Sequence, residues 1–178
     1  MENIQGGKVD KRLSKIKVMG FIEQLKEKAR KNRKTIVLPE GMDKRTFEAA
    51  EQIIKEDFAD IIILATKQEF EEFGVGYDVK GATIIDPLTC EKTKKYAEDF
   101  YELRKAKGMT EKQAYAMVIS DHMYFACMMV RNHDADGVVS GACHSSANTL
   151  RPSLQIIKTK PGSKLVSAFF VICVPNKD

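Results

Sequence analysis

The chain has 178 residues and a mass of 20.0 kDa, the size of one compact domain or of one domain with part of a second. Hydrophobic residues make up 43% and charged residues 30% of the sequence, which excludes the disordered and the collagen-like classes. The most apolar stretch, residues 165–174, is too short for a transmembrane helix, so we expect no membrane partner.

The positive charge is confined to the N-terminal fifth of the chain. Residues 1–34 have a net charge of +7 and residues 35–178 a net charge of −3, which together give the overall +4. A basic patch can bind nucleic acid, or it can be the solvated face of a helix. The slightly acidic remainder favours the solvated face, and we therefore expect no nucleic-acid partner.

Residues 1–20 differ from the rest of the chain. Val9, Leu13 and Ile16 recur at helical spacing among basic residues, which is typical of a short amphipathic helix of the targeting or membrane-surface kind. The alternative, which we favour, is a flexible leader or extension, because Met19 could itself open a protein.

Helices and strands alternate from Phe21 onward. The apolar run at residues 59–65 has no polar face, which favours a parallel strand over an antiparallel one. The repeated order predicts an α/β fold of three α/β/α layers on a mostly parallel sheet. The strands are predicted at residues 35–39, 59–65, 82–85, 137–141 and 165–174.

Polar residues and proline predict where the helices begin. Asp43 is expected to cap the second helix, and Thr89 to open a long one. Thr110, followed three residues later by a glutamine, matches a capping box, with a break expected near Ser120. Pro152 is expected in the first turn of a later helix.

The four cysteines, at positions 90, 127, 143 and 173, form no C-x-x-C pair and have no histidine at ligand spacing. This spacing predicts no metal site. Buried, reduced thiols in a cytoplasmic protein are the favoured interpretation.

The strongest candidate site is the loop of small residues at positions 140–149. It follows a predicted strand and enters a helix, where backbone N–H groups and the Ser and Thr hydroxyls of the loop favour a bound anion. Arg151 adds a guanidinium fork suited to phosphate. Plain helix capping remains the alternative. His144 is expected either to transfer a proton or, as we favour, to orient the loop.

Two further arginines are candidates for the same site. Arg45 follows the exit of the first predicted strand, and Arg104 ends a predicted helix. Each is alternatively a surface ion-pair residue.

Four segments carry a resemblance to a known family. Residues 35–46, 100–108, 136–146 and 149–158 resemble the phosphate acetyltransferase (phosphotransacetylase) family, and the resemblance covers about residues 20–176, half the family's usual length. It implies acetyl transfer between acetyl phosphate and coenzyme A, by a homodimer of two-domain chains. Coenzyme A or acetyl-CoA would be a substrate, and no cofactor would be bound permanently. No metal would take part in the chemical step.

The resemblance also implies a division of the chain and of the site. Residues 21–158 would form the first α/β domain without its last elements, and residues 159–178 the start of a second, truncated domain. Arg104, Arg151, Ser145 and Ser146 would bind substrate phosphate, and Arg45 matches a further arginine of the cleft. The family's base and its Ser-Arg pair would lie beyond residue 178, so little activity is expected of this chain alone.

Two positions depart from the family, and two other functions stay open. Asn148 stands where many relatives have Asp, and Lys177 where many have Cys. A phosphate butyryltransferase would share the fold and the acyl phosphate chemistry. A non-catalytic module for phosphate binding or assembly would keep the loop without the reaction.

Overall fold

The computed structural model describes residues 20–163, 165–167 and 171–172, and helices and strands alternate along them. The short helix Lys67–Glu69 continues as a π-helical turn, Phe70–Gly74, and the helix Thr93–Arg104 continues as a 3-10 turn, Lys105–Lys107. The elements are α1 (Phe21–Lys31), β1 (Thr35–Leu38), α2 (Lys44–Glu56), β2 (Asp60–Leu64), α3 (Lys67–Glu69), β3 (Thr83–Ile85), α4 (Thr93–Arg104), α5 (Glu111–Ser120), α6 (His122–Arg131), β4 (Gly137–Val138) and α7 (Ser146–Ile156).

The four strands form one parallel sheet in the order β3-β2-β1-β4. Thr35 pairs with Asp60 at the start of β1 and β2, and Ile36 pairs with Gly137 of β4 on the other side. The predicted α/β fold with a parallel sheet is confirmed.

Side chains along the sheet alternate between two hydrophobic cores, one on each face. Ile61 and Ile63 of β2 pack with Phe47 of α2, whereas Ile62 and Leu64 pack with residues of α4 to α7. Because the last four of the five β2 side chains are buried, the strand has no polar face beyond Asp60, as a strand covered by helices on both sides requires. The molecule therefore has the three predicted layers.

Two helices begin at residues other than those predicted. The helix expected from Thr89 begins at Thr93, because the carbonyl of Asp86 accepts from the N–H groups of Thr89 and Cys90 in a turn. The helix expected to begin near Pro152 begins at Ser146, where the Ser145 hydroxyl caps it. Pro152 therefore lies inside α7.

Two predicted elements fall on residues that are partly or wholly outside the described part. The amphipathic helix of Val9, Leu13 and Ile16 lies outside it. Of the strand predicted at residues 165–174, the described residues 165–167 and 171–172 belong to no strand, and the others lie outside the description. None of the helices in the described residues is long and apolar enough to cross a membrane.

Candidate functional site

The carboxyl ends of β1 and β4 lie side by side. In the sheet, β2 and β3 are on one side of β1 and β4 is on the other, so the strand order reverses between β1 and β4. Ligands of open parallel sheets bind in the crevice at such a point. A Cβ at Gly41 would come within 2.3 Å of the carbonyl oxygen of Leu64, so only glycine fits where the chain leaves β1.

The carboxylate of Glu40 binds four consecutive backbone N–H groups of the loop after β4. Oε2 accepts from Gly141 and Ala142, both at 2.8 Å, and Oε1 accepts from Cys143 at 2.8 Å and His144 at 2.7 Å. We call residues 141–144 the amide loop. Glu40 is only 3% exposed, although it follows a strand end and carries a charge. The four donors satisfy a carboxylate that would otherwise be buried without partners.

These donors keep Glu40 ionised. Burial raises the pKa of its carboxyl, but the N–H groups of Cys143, His144 and Ala142 and the ring of His144 favour the charged form and lower the pKa to about 2. Glu40 is therefore an anion throughout the physiological pH range.

His144 connects the amide loop with the N-terminus of α6. Its Nδ1 lies 2.8 Å from Glu40 Oε1, and its Nε2 lies 3.8 Å from Asp121 Oδ1. Asp121 also caps α6, accepting from the N–H of Met123 at 2.9 Å. Because a carboxylate can only accept, Nδ1 of His144 carries a hydrogen and donates a hydrogen bond to Glu40. The predicted loop-orienting hydrogen bond of His144 is confirmed.

The first turn of α7 follows the amide loop directly. Ser145 is the N-cap, and its Oγ accepts from the N–H of Asn148 at 3.2 Å. The N–H groups of Ser146 and Ala147 open the helix, where such groups have no intrahelical acceptor. Ser145 and Ser146 are both exposed. Solvent-facing N–H groups at a helix N-terminus favour an anion.

Arg45 contacts the amide loop from α2. Its Nη2 donates to the carbonyl oxygen of Ala142 at 2.5 Å, and its Nε donates to Asp43 Oδ1 at 3.0 Å. Asp43 is the N-cap of α2, as predicted. The side chain of Arg45 is 60% exposed. The fold thus brings Arg45 to the predicted loop.

Arg104, at the end of α4, and Arg151, on α7, both lie close enough to Tyr124 of α6 to affect its hydroxyl group electrostatically. Burial and Asp121 raise the pKa of the Tyr124 hydroxyl, while Arg151 and Arg104 oppose this rise, so both arginines act on the same side chain. Arg151 is exposed on α7. Arg104 is partly buried at the end of α4, and within the described chain its Nε has no hydrogen-bond partner. Within the described residues, no hydrogen bond or ion pair joins either guanidinium to the amide loop.

Three possible metal ligands also meet here. Ligand atoms of Glu40, Cys143 and His144 lie within 4.8 Å of one another. They do not suit a metal, because each Glu40 oxygen already accepts two backbone N–H groups. In addition, His144 Nδ1 donates a hydrogen bond to Oε1 of Glu40 and is not available as a ligand atom. Burial, followed by Glu40, raises the pKa of Cys143 to about 11, which disfavours the thiolate that a metal or a nucleophile needs.

Sequence reasoning missed Glu40 and Asp121. Glu40 lies in the exit of β1, within a segment that was singled out for Arg45 and for the family resemblance, with no role given to Glu40. The available signal was its position: an acidic residue two places after a buried strand faces the ligand-binding edge of a parallel sheet. Asp121 carried a signal too, since it stands at a predicted helix break where an N-cap is favoured.

Comparisons with known proteins agree on one family. The family model described as phosphate acetyl/butaryl transferase matches residues 20–178. A phosphate acetyltransferase of Thermoanaerobacterium thermosaccharolyticum is 51% identical over 158 residues, which are 89% of this chain and 48% of the relative. That of Acetivibrio thermocellus is 48% identical over 158 residues, 89% of this chain and 47% of the relative. The chain spans about half the length of the curated relatives it matches.

Solved structures show the same similarity. The EutD phosphotransacetylase from Staphylococcus aureus superposes with a TM-score of 0.73 at 38% identity, over 81% of this chain and 44% of that one. A phosphotransacetylase from Streptococcus pyogenes gives a TM-score of 0.72 at 41% identity, over 79% of this chain and 43% of that one.

Proposed function

The chain belongs to the phosphate acetyl/butaryl transferase family, and from this premise we propose that it provides the phosphate-binding half of an enzyme that transfers acetyl between acetyl phosphate and coenzyme A. The relatives named above are phosphate acetyltransferases, which supports acetyl rather than butyryl as the group transferred. Coenzyme A is then a substrate, and no permanently bound cofactor is part of the proposal.

One observation carries the proposal at the level of geometry. The amide loop, Arg45 and the first turn of α7 meet at the carboxyl ends of β1 and β4, where the strand order reverses. This edge of an open parallel sheet is where ligands bind. A phosphate there would accept from the N–H groups of Ser146 and Ala147 and from the hydroxyls of Ser145 and Ser146.

The reaction needs positive charge at the leaving group. When the thiolate sulfur of coenzyme A attacks the acetyl carbonyl, a C–S bond forms, the C–O bond to phosphate breaks, and phosphate leaves with the electron pair. Arg151 and Arg104 would stabilise this developing charge, since a guanidinium forms paired hydrogen bonds to phosphate oxygens. Arg45 would contribute indirectly from α2, by holding the carbonyl of Ala142 in the amide loop.

The assembly and the location belong to the same proposal. We expect a homodimer in the cytoplasm. Cys90, Cys127 and Cys143 are all free thiols, which supports a reducing compartment.

The test is a transfer assay in a complete enzyme. The chain is fused to the part of the Thermoanaerobacterium relative that follows the matched region, and acetyl-CoA formation from acetyl phosphate is measured beside formation of butyryl-CoA from butyryl phosphate. The relative's part alone serves as the control. We expect turnover of the fusion with acetyl phosphate in preference to butyryl phosphate. A folded fusion that binds phosphate without turnover would instead support a non-catalytic phosphate-binding module.

A further inference from the structure

The backbone N–H groups best arranged for an anion are already bound within the chain. All four N–H groups of the amide loop donate to Glu40 at 2.7–2.8 Å. A substrate phosphate therefore has no free donor at residues 141–144. The donors left to it are those that follow, at the start of α7.

We propose that Glu40 is a positioning residue for phosphate binding: its carboxylate fixes the amide loop so that Ser145, Ser146 and the first N–H groups of α7 face the substrate phosphate. This inference rests on the proposed function, because it assumes that phosphate binds at the start of α7. It assigns Glu40 no contact with the substrate.

The loop is fixed from three elements, with Glu40 at the centre. Glu40 approaches from the end of β1, Arg45 binds the carbonyl of Ala142 from α2, and Asp121 lies 3.8 Å from His144 at the junction of α5 and α6. Gly141 has φ +125°, a conformation that suits glycine and allows the chain to turn its N–H groups towards one point.

A carboxylate suits this position and an amide does not. The two oxygens of a carboxylate only accept, and together they accept from all four N–H groups of the loop and from the His144 ring. Glutamine in place of Glu40 has one acceptor oxygen, and its NH2 group would face N–H donors. Two loop N–H groups would then be left without partners, and the loop would change shape.

The experiment uses the chain as it exists, with inorganic phosphate as the probe. Phosphate is titrated into the 15N-labelled chain, and backbone amide resonances at positions 141–147 report the affinity. Amide hydrogen exchange at 141–144 is measured in the same sample. The variants are Glu40→Gln and Glu40→Asp, and Glu48→Gln is the matched control, since Glu48 is exposed on α2.

We expect slow exchange at residues 141–144, although Gly141 and Cys143 are exposed, and phosphate-dependent shifts centred on Ser146 and Ala147. Glu40→Gln should weaken phosphate binding at least tenfold, Glu40→Asp less, and Glu48→Gln not at all. Partial rescue by aspartate, measured at a temperature where all variants are folded, distinguishes positioning from a general loss of stability.

Two results would overturn the inference. One is unprotected amides at 141–144 in the wild type. The other is unchanged phosphate affinity in folded Glu40→Gln. If Glu40→Gln does not fold, the inference is tested by wild-type amide exchange and by the variant Gly141→Ala. Alanine is strained at φ +125°, so Gly141→Ala should weaken phosphate binding although Glu40 is still present. A wild-type chain that binds no phosphate at all contradicts the proposed function itself, whereas binding retained in Glu40→Gln contradicts only the role of Glu40.

Discussion

The guanidinium of Arg45 donates to the carbonyl oxygen of Ala142 at 2.5 Å, across 97 positions of the chain. The same guanidinium also binds Asp43 through Nε and Nη2. Arg45 thus holds the peptide of the amide loop from its carbonyl side, while Glu40 holds the N–H of the same residue, Ala142. One residue of the loop is therefore fixed through both of its backbone polar groups.

We expect Arg45→Gln to weaken phosphate binding by about 2- to 5-fold, because an exposed charged contact contributes little and Glu40 still holds the loop. Calorimetric titration of the chain with inorganic phosphate measures this. Arg30→Gln, an exposed arginine of α1 that binds Glu27, is the matched control. A loss as large as that of Arg151→Gln would show that Arg45 binds phosphate directly.

Arg151→Gln should reduce kcat/KM for acetyl phosphate about 10- to 100-fold in the fusion enzyme, because a charge-assisted hydrogen bond to phosphate is lost. Arg151→Lys should recover part of this, since it keeps the charge without the fork. Initial rates at varied acetyl phosphate and fixed coenzyme A give the comparison. An unchanged kcat/KM would assign Arg151 to a surface role.

The low pKa of Glu40 makes folding stability depend on pH. Its folded pKa of about 2 lies below the ordinary 4.5, so the contribution is complete above about pH 5 and is lost as the pH falls towards 2. The full contribution is roughly 3 kcal/mol. Urea unfolding at pH 3 to 7 should show the wild type losing its advantage over Glu40→Gln as the pH falls. A difference that is constant over this range would contradict the assignment.

Tyr96 tests a buried polar contact away from the site. Its hydroxyl lies 2.5 Å from Asp134 Oδ2, and its ring packs edge-on against Phe125. Tyr96→Phe should lower the free energy of unfolding by about 1–3 kcal/mol, because Asp134 loses a donor. Tyr115→Phe, at a residue that is 44% exposed, should change it by less than about 0.5 kcal/mol. Equal effects of the two substitutions in chemical unfolding would argue against the Tyr96 contact.

Cys143 should react slowly despite its exposure. Loss of hydration at its sulfur and the negative charge of Glu40 raise the pKa of Cys143 to about 11, so its thiolate fraction at about pH 7.5 should be far below that of an ordinary cysteine. Iodoacetamide labelling followed by peptide mass spectrometry gives the rate at this site, with a short cysteine peptide as the reference. Labelling of Cys143 at the rate of the peptide would contradict the raised pKa.

The sequence predicts the strands of this sheet better than the contacts of its site. Apolar runs such as residues 59–65 are local signals, and their parallel pairing follows from burial on both faces. The carboxylate of Glu40 is different. A negative charge beside a predicted anion-binding loop contradicts simple charge complementarity, and nothing local shows that Glu40 meets His144 across 104 positions. The helix start at Thr93 was missed for a local reason, because the turn at Asp86 replaces the expected first helical turn.

The long separation of β1 and β4 along the chain also predicts an order of events during folding. β1 and β2 are close in the chain, so their pairing closes a short loop, whereas Glu40 and its four donors are 101 to 104 residues apart. Contacts between distant residues form late, because the entropy of closing a long loop must be overcome before they add any stability. The half of the sheet that contains β1 and β2 can therefore assemble first. We therefore expect the amide loop to acquire its shape only when β4 docks, in a late step of folding.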